Sequence, residues 1–360
     1  MSETDPTRVV VGLSGGVDSS AAASLLVEQG YDVVGITLKV WPQDCVSRAE
    51  DKCCGPQAVM DARSVANKLE IPYYLIDESK EFQRDVIDYF AAEYKAGRTP
   101  NPCVMCNEKL KFGNLITRAK KLGAEFVATG HYARLEKRNG RTVMLRGKDA
   151  RKDQTYFLFS LGQEQLAHMM FPLGELQKSE TREVARCVSL KTAEKQESQE
   201  ICFVPDKDYK KFLTTAGLVE EHQGEIVNTR GQVLGHHDGI EFYTIGQRKG
   251  LGISSPTPLY VVELDPENNR VVVGEEGMLL RTEFRIDRCN WIPFENLEGP
   301  IEVSAAIRYN HPGAAATVDP SENGQAIVKL HEPQRAVTPG QPCVFYQDDL
   351  VVGGWWIMRH

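Results

Sequence analysis

Between residues 7 and 200 the chain alternates short apolar runs with longer stretches in which apolar positions recur every three or four residues. The runs at 9–13, 33–38, 72–76 and 126–129 have the length and β-branched content of buried strands. The stretches at 17–28, 57–69, 81–95, 110–122 and 181–190 have helical periodicity. Apolar strands set between amphipathic helices predict an α/β domain, a parallel sheet wrapped by helices on both faces. Ligands of such sheets lie beyond the carboxyl ends of the strands. The first strand end at 12–20, the second near Leu38 and the fourth at Thr129-Gly130-His131 are therefore expected to face one cleft. Past about residue 205 the pattern turns to short strands bounded by glycine, at 225–228, 233–236, 259–264 and 270–273. Further strands follow at 301–307, 326–330, 342–345 and 350–357, with the spacing of an antiparallel barrel or sandwich. At 360 residues the chain is too long for one ordinary domain. The expected division is a catalytic α/β domain at 1–205, a small mostly β central domain at 206–280 and a C-terminal antiparallel β-barrel at 281–360.

The first strand runs into Gly12-Leu13-Ser14-Gly15-Gly16-Val17-Asp18-Ser19-Ser20. Two adjacent glycines allow positive φ and close approach of backbone N–H groups to an anion. The serines add hydroxyl donors, and the following helix aims its positive end at the same place. No lysine follows the glycines, which separates this turn from the GxxxxGK[ST] nucleotide loop. Ser-Gly-Gly-x-Asp-Ser resembles the PP-loop of the ATP pyrophosphatases, which cleave ATP between the α and β phosphates and adenylate a substrate.

Composition adds a compartment and a contradiction. Hydrophobic residues make up 41% and charged residues 26%, as in ordinary globular proteins. The acidic start reads as neither signal nor transit peptide, and no apolar run is long enough to span a bilayer. Nine unevenly spread cysteines do not form a secreted disulfide framework, so a cytoplasmic location is expected. The net charge of −8 argues against nucleic acid, yet residues 95–152 carry 15 Lys or Arg against four acids, a net +11. Such a stretch can gather a polyanion, although a solvated basic face would give the same count.

The second cluster of chemistry is Thr99-Pro100-Asn101-Pro102-Cys103-Val104-Met105-Cys106-Asn107. Its prolines predict non-helical chain up to Cys103 and a helix beginning near Asn107 or Glu108, which puts Cys106 near a helix N-terminus, beside Lys109 and Lys111. Both features favour thiolate over the ordinary thiol, whose pKa is roughly 8.5. A third cysteine, Cys202, lies in Ser198-Gln199-Glu200-Ile201-Cys202-Phe203. A lone CxxC is compatible with zinc, iron–sulfur or dithiol redox chemistry. Structural zinc would need a second pair, for which only the adjacent Cys53-Cys54 offers itself.

The PP-loop, TPNPCxxCN, Ala128-Thr-Gly-His-Tyr-Ala-Arg134, Lys152-Asp-Gln-Thr-Tyr-Phe-Leu158 and the Cys202 motif occur in this order. Together they resemble the tRNA-specific 2-thiouridylases, over nearly the whole chain. The PP-loop is shared by several amide-activating ligases; the two cysteine motifs are the specific part. The resemblance implies ATP-dependent 2-thiolation of the wobble uridine of tRNA, in which the uracil oxygen is adenylated and sulfur displaces AMP. It implies ATP contacts at Gly12, Leu13, Ser14, Gly15, Gly16, Val17, Asp18, Ser19, Leu38 and Gly130, with Mg²⁺ on the phosphates. It implies that Asn101, Pro102 and Cys103 line the target base. It further implies tRNA contacts at His131, Lys152, Asp153, Gln154, Arg308, Tyr309 and Gln341.

For sulfur delivery the resemblance implies two catalytic cysteines. Cys202 carries a persulfide received from a sulfur carrier, and Cys106 releases that sulfur while closing a transient disulfide with Cys202. Some relatives have Asp where Cys103 stands. Cys103, Cys106 and Cys202 together supply three thiolates, which suits a 4Fe-4S cluster with one open iron, and on ligand count the cluster is the preferred route. Free sulfide would then be a sufficient donor. Two other functions stay open: another PP-loop adenylating ligase, which would not need the cysteines, and an RNA-binding module with a structural metal.

Overall fold

The computed structural model describes residues 6–40, 55–188, 192, 201–204, 206, 208–287, 289–321 and 324–359. Cys45, Cys53 and Cys54, and with them the pair considered for zinc, lie outside these residues, as do Ser198, Gln199 and Glu200. The chain folds into two compact units, one of Met1–Val86, Cys103–Phe203 and Asp349–Val351, the other of Ile87–Pro102, Val204–Asp348 and Val352–His360.

The first unit is built on a five-stranded sheet. Its strands are β1 (Arg8–Gly12), β2 (Asp32–Lys39), β3 (Tyr73–Asp77), β4 (Phe126–Ala128) and β7 (Met169–Met170), in the order β3-β2-β1-β4-β7. Every neighbouring pair is parallel, with Val10 opposite Val34 on one side and Val127 on the other. The three valines of β1 are fully buried because helices cover both faces of this central strand. The strand order reverses direction at β1, so the crevice beyond its carboxyl end is where such a sheet binds ligands. The sequence expectation of a wrapped parallel sheet holds.

Helix α1 (Val17–Glu28) is buried on opposite sides, which explains its run of alanines. Ala23 and Leu26 pack on the sheet, while Ala21 and Ala22 pack against Tyr132, Leu173 and Val184. Between β4 and β7 lies a hairpin that the apolar pattern does not reveal, β5 (Ala133–Arg138) and β6 (Arg141–Arg146). Its turn is Asn139-Gly140, both at positive φ, the sequence signal of a tight hairpin.

The helical arm after β3 departs from expectation. Helix begins at Pro102, not near Asn107, and runs as Pro102–Met105, a π-helical Cys106–Asn114 and Leu115–Lys121. The physical reason is that proline at the first helical position loses no hydrogen bond and brings a suitable φ. Cys106 is thus the fifth residue of the helical stretch and starts its π-helical part; it does not sit at the N-terminus.

The second unit holds two sheets. In the four-stranded one the order is Tyr260–Asp265, Arg270–Gly274, Gly224–Asn228, Val233–His237, with a parallel central pair. The antiparallel C-terminal sheet runs Leu280–Ile286, Ala326–Arg335, Ala314–Pro320, Ile301–Ala306, Pro342–Gln347 and then the strand that begins at Leu350. A bridge between Ile286 and Ile357 joins its first strand to the end of the last, as in the expected barrel. Phe284, Ala305, Val318, Val328 and Phe345 fill its core.

Candidate functional site

The glycine turn sits at the carboxyl end of β1, at the switch point of the sheet. Leu13 continues the pairing, its N–H donating to Ile36 O at 2.8 Å and its carbonyl accepting from Thr37 Oγ1 at 2.6 Å. Gly15 has φ +69°, and a Cβ there would lie 2.2 Å from the carbonyl oxygen of Ala58, on helix α2 (Pro56–Lys68). Gly15 is therefore demanded by packing as well as by any ligand. Gly16 differs from expectation: its φ of −100° is ordinary, and it caps α1 without a side-chain hydrogen bond. The N-terminal N–H groups of α1 consequently keep no side-chain cap, the arrangement that accepts a phosphate. The hydroxyls of Ser14 and Ser19 lie 3.1 Å apart, and the Ser19 oxygen accepts from the Ser14 N–H.

Gly130 meets this turn directly. A Cβ on Gly130 would lie 2.6 Å from Asp18 C and Ser19 N, so the loop after β4 lies on the first turn of α1. Leu38 stands at the carboxyl end of β2, opposite Ile76, and is half-buried. The strand-end residues of the expected nucleotide site, 12–19, Leu38 and Gly130, all lie at one edge of one sheet. Their chemistry fits a triphosphate: an uncapped helix end, positive-φ backbone and two hydroxyls.

Sequence reasoning missed three residues here. Asp18 Oδ1 accepts from Lys178 Nζ at 2.6 Å and from the Tyr132 hydroxyl at 2.9 Å. Thr181 Oγ1 lies 2.9 Å from the same Tyr132 hydroxyl. Lys178 opens the helix Lys178–Cys187, and its backbone N–H donates to Asp149. No local pattern links residues 160 positions apart, so only the fold reveals this ion pair.

His131 packs between the rings of Phe112 and Phe171, centroids 5.6 and 6.1 Å away, and its Nδ1 lies 2.8 Å from Thr129 Oγ1. Burial holds the imidazole pKa well below the ordinary histidine value, and the Lys111 ammonium pushes the same way. An unfolded histidine takes up a proton as pH falls through about 6.5, so below that value the unfolded state binds more protons than the folded one. The stability is thus fully present above that pH and is lost as pH falls, by at most about 1.4 kcal/mol per unit for one group. His237 and His311 are lowered by burial too, so the contribution must be isolated by difference. We expect His131→Phe to reduce the loss of urea-unfolding stability between pH 7.5 and 5.5. A His131 ring that titrates near its ordinary value by NMR would contradict this.

Cys106 and Cys202 belong to the same unit, and a short segment after β3 anchors the chain around both. The Glu78 carboxylate, fully buried, accepts from Asn114 Nδ2 at 2.7 Å and from Arg118 Nη2 at 3.0 Å. That fixes the helical stretch carrying Cys106. Four residues on, Phe82 packs edge-to-face on Phe203, the neighbour of Cys202, at 5.8 Å. Asn107 of the CxxCN motif donates to Phe157 O at 3.0 Å and ties this helix to the Lys152–Leu158 motif.

The cluster expectation gains no support here. Among the described residues no three His, Cys, Asp or Glu side chains come together in a group able to hold a metal ion. A converging set of three thiolates is what a 4Fe-4S centre would require of Cys103, Cys106 and Cys202. Burial raises the thiol pKa of Cys343, in the core of the C-terminal sheet, and of Cys289, packed against that core, well above the ordinary range, which disfavours thiolate at both.

The residues expected to touch RNA divide into outward and inward groups. Arg308 and Tyr309 are exposed, in the turn after Ile301–Ala306. Lys152 is half-buried. Asp153 faces inward, accepting from Arg146 Nη1 at 3.0 Å, Gly147 N at 3.1 Å and Thr155 Oγ1 at 2.8 Å. Gln154 accepts from Tyr132 N at 3.0 Å. Gln341 donates from Nε2 to Thr99 O at 3.0 Å and Pro100 O at 3.2 Å, and so shapes the chain just before Asn101. Asn101 and Pro102 are buried and Cys103 is half-buried. The basic stretch is also less bare than its charge count. Arg98, Lys109, Arg118, Lys120, Arg134, Arg138 and Arg146 are each ion-paired within their unit.

Among the described residues no helix is long and apolar enough to cross a membrane. Three family models match in succession: the tRNA methyl transferase HUP domain at residues 7–206, the tRNA methyl transferase PRC-barrel domain at 210–275 and the aminomethyltransferase beta-barrel domain at 281–357. The chain is 50% identical over 348 residues to the tRNA-specific 2-thiouridylase MnmA of Clostridium perfringens, covering 96% of this chain and 97% of that one. It is 51% identical to the protein of the same name from Moorella thermoacetica, covering 96% and 98%. Half of its residues shared along nearly its whole length, in a fold that sets the glycine turn at the switch point of its sheet, place this chain in the tRNA-specific 2-thiouridylase family.

Proposed function

We propose that the protein is a tRNA-uridine 2-sulfurtransferase that uses ATP to activate the wobble uridine. The observation that carries this reading is the company of Cys106 and Cys202 in the unit that holds the glycine turn, with one short segment, Glu78 to Phe82, anchoring the chain around both. A ligase that only adenylates has no use for such an arrangement.

The substrate Mg-ATP lies at the turn, where the N-terminal N–H groups of α1 and the hydroxyls of Ser14 and Ser19 meet phosphate oxygens. The uracil O2 attacks the α-phosphorus, the bond to the β-phosphate oxygen breaks, and pyrophosphate leaves. The ring oxygen becomes part of an adenylate, which converts an unacceptable oxide into AMP as leaving group. Cys106 thiolate then attacks the inner sulfur of a Cys202 persulfide supplied by a sulfur carrier. A Cys106–Cys202 disulfide forms and the terminal sulfur departs as hydrosulfide. Hydrosulfide attacks C2, AMP leaves with the oxygen, and a dithiol reductant returns two electrons to the disulfide. His131, held neutral by burial, is suited to contact RNA without repelling the nearby lysine charge. A wobble base lies in a single-stranded loop and can be drawn out of its stack into such a site.

The test is nucleoside mass spectrometry of tRNA incubated with the protein, Mg-ATP and sulfide. We expect 2-thiouridine only when all are present. Pyrophosphate release without any thionucleoside would point to a different adenylating ligase, and no tRNA-dependent pyrophosphate release would leave an RNA-binding module.

A further inference from the structure

We propose that Lys178 is the cation of the phosphate site, contacting the triphosphate and neutralising the pyrophosphate as it leaves. This rests on the reading of the glycine turn as the seat of Mg-ATP. Residues 12–20 contain no lysine or arginine. A turn that has to hold three phosphates and release two has helix-end N–H groups and hydroxyls but no full positive charge in its own sequence. The fold brings one from a distance: Lys178 Nζ lies 2.6 Å from Asp18 Oδ1, in the first turn of α1, and the lysine side chain is only 11% exposed.

Its aim is fixed from several directions. Lys178 is the first residue of the ten-residue helix Lys178–Cys187, and its backbone N–H donates to Asp149 Oδ2 at 3.0 Å. Glu180 Oε2 accepts from the Gln177 N–H at 2.6 Å, which completes the helix start. Val184, one helical turn and a half on, packs against Ala21 and Ala22 of α1, so the two helices hold their register. The ammonium also lies 5.7 Å from the centroid of the Tyr132 ring, whose hydroxyl donates to the same Asp18 oxygen. Asp18 keeps the lysine at the mouth of the turn while the anion is away.

A purely structural reading of the pair is weak on energetic grounds. Largely buried ion pairs recover little more than their desolvation cost, and apolar residues of equal volume often serve stability better. Here the pair stands on a helix terminus whose N–H groups already favour anions, the place where a second positive charge serves binding. A triphosphate outcompetes one carboxylate for an ammonium because it offers several charged oxygens.

The experiment uses the full chain and α,β-methylene ATP, which cannot be cleaved at the reacting bond. Dissociation constants by calorimetry and thermal unfolding midpoints would be measured for the wild type, Lys178→Met and Lys178→Arg. In parallel, acetylation of Lys178 by acetic anhydride would be mapped by mass spectrometry with and without the analogue. We expect Lys178→Met to bind the analogue about 10- to 100-fold more weakly, the effect of losing one charge-assisted hydrogen bond. Because Asp18 is 30% exposed and keeps the Tyr132 hydroxyl, we expect only a small fall in the unfolding midpoint, with Lys178→Arg recovering part of the affinity and the analogue protecting Lys178 from acetylation. Affinity within twofold of the wild type would overturn the assignment, as would acetylation indifferent to the analogue or a loss of affinity that merely follows a fallen midpoint. A wild type that fails to bind the analogue would instead overturn the nucleotide site itself, and this assignment with it.

Discussion

Replacing Cys106 or Cys202 by serine is expected to lower 2-thiouridine formation by about 1,000-fold or more when sulfur is presented as a protein-bound persulfide. A serine hydroxyl is un-ionised at neutral pH and cannot hold or release sulfane sulfur. The tRNA-dependent release of pyrophosphate should persist in both variants, because adenylation is proposed to take place at the glycine turn with groups that neither cysteine supplies. Excess free sulfide should restore part of the product, since hydrosulfide is what the two cysteines are proposed to deliver. Product formed at the normal rate from persulfide by either variant would refute the two-cysteine route. A simultaneous loss of pyrophosphate release would show that these residues hold the fold or the RNA instead.

The second large effect is expected at Gly130. A methyl group there meets backbone atoms, Asp18 C and Ser19 N, at 2.6 Å, and no side chain can swing aside to relieve it. Gly130→Ala must push the loop after β4 away from the first turn of α1. Displacement of a substrate-positioning element by about 1 Å costs roughly 100-fold in rate. We expect a loss of that order in ATP-dependent pyrophosphate release, with tRNA affinity retained. Gly16→Ala is the control: its φ is ordinary and its nearest neighbour would be Ser14 Oγ at 3.4 Å, so activity should stay within severalfold. Pyrophosphate release by Gly130→Ala within severalfold of the wild type would separate the loop after β4 from the nucleotide.

The apolar pattern carried the α/β unit because its signals are local. Three consecutive valines buried on both faces mark β1 as central, and the first helix starts at Val17 and ends at Glu28 as its periodicity predicts. The hairpin at β5 and β6 escaped because much of it is charged and half of β5 is exposed, although Asn139-Gly140 named its turn. The helix start at Pro102 escaped because proline was read only as a breaker. Its other role, at the first position of a helix, depends on what precedes it. The glycine turn was read as a phosphate site from residue types, but Gly15 and Gly130 answer to packing against Ala58 and α1 that no run of letters encodes. Asp153 and Gln341, grouped with the RNA contacts by motif, spend their side chains on neighbouring backbone and side-chain groups. Lys178 lay beyond reach altogether, since partners 160 residues apart share no window. The charge count of the basic stretch likewise says nothing of its pairing, because several of its partners come from outside it.

The two units exchange pieces of chain: Ile87–Pro102 belongs with residues from Val204 on, while Asp349–Val351 returns to the unit begun at the N-terminus. On the ribosome, the peptide ending in Thr99-Pro100-Asn101 emerges more than a hundred residues ahead of its permanent neighbours. Its Thr99 N–H must wait for Pro339, and the carbonyls of Thr99 and Pro100 must wait for the Gln341 amide, before each finds its acceptor or donor. A nascent chain broken off between residues 131 and 338 would therefore carry the glycine turn and Gly130 and yet leave the peptide leading into Pro102 without these partners.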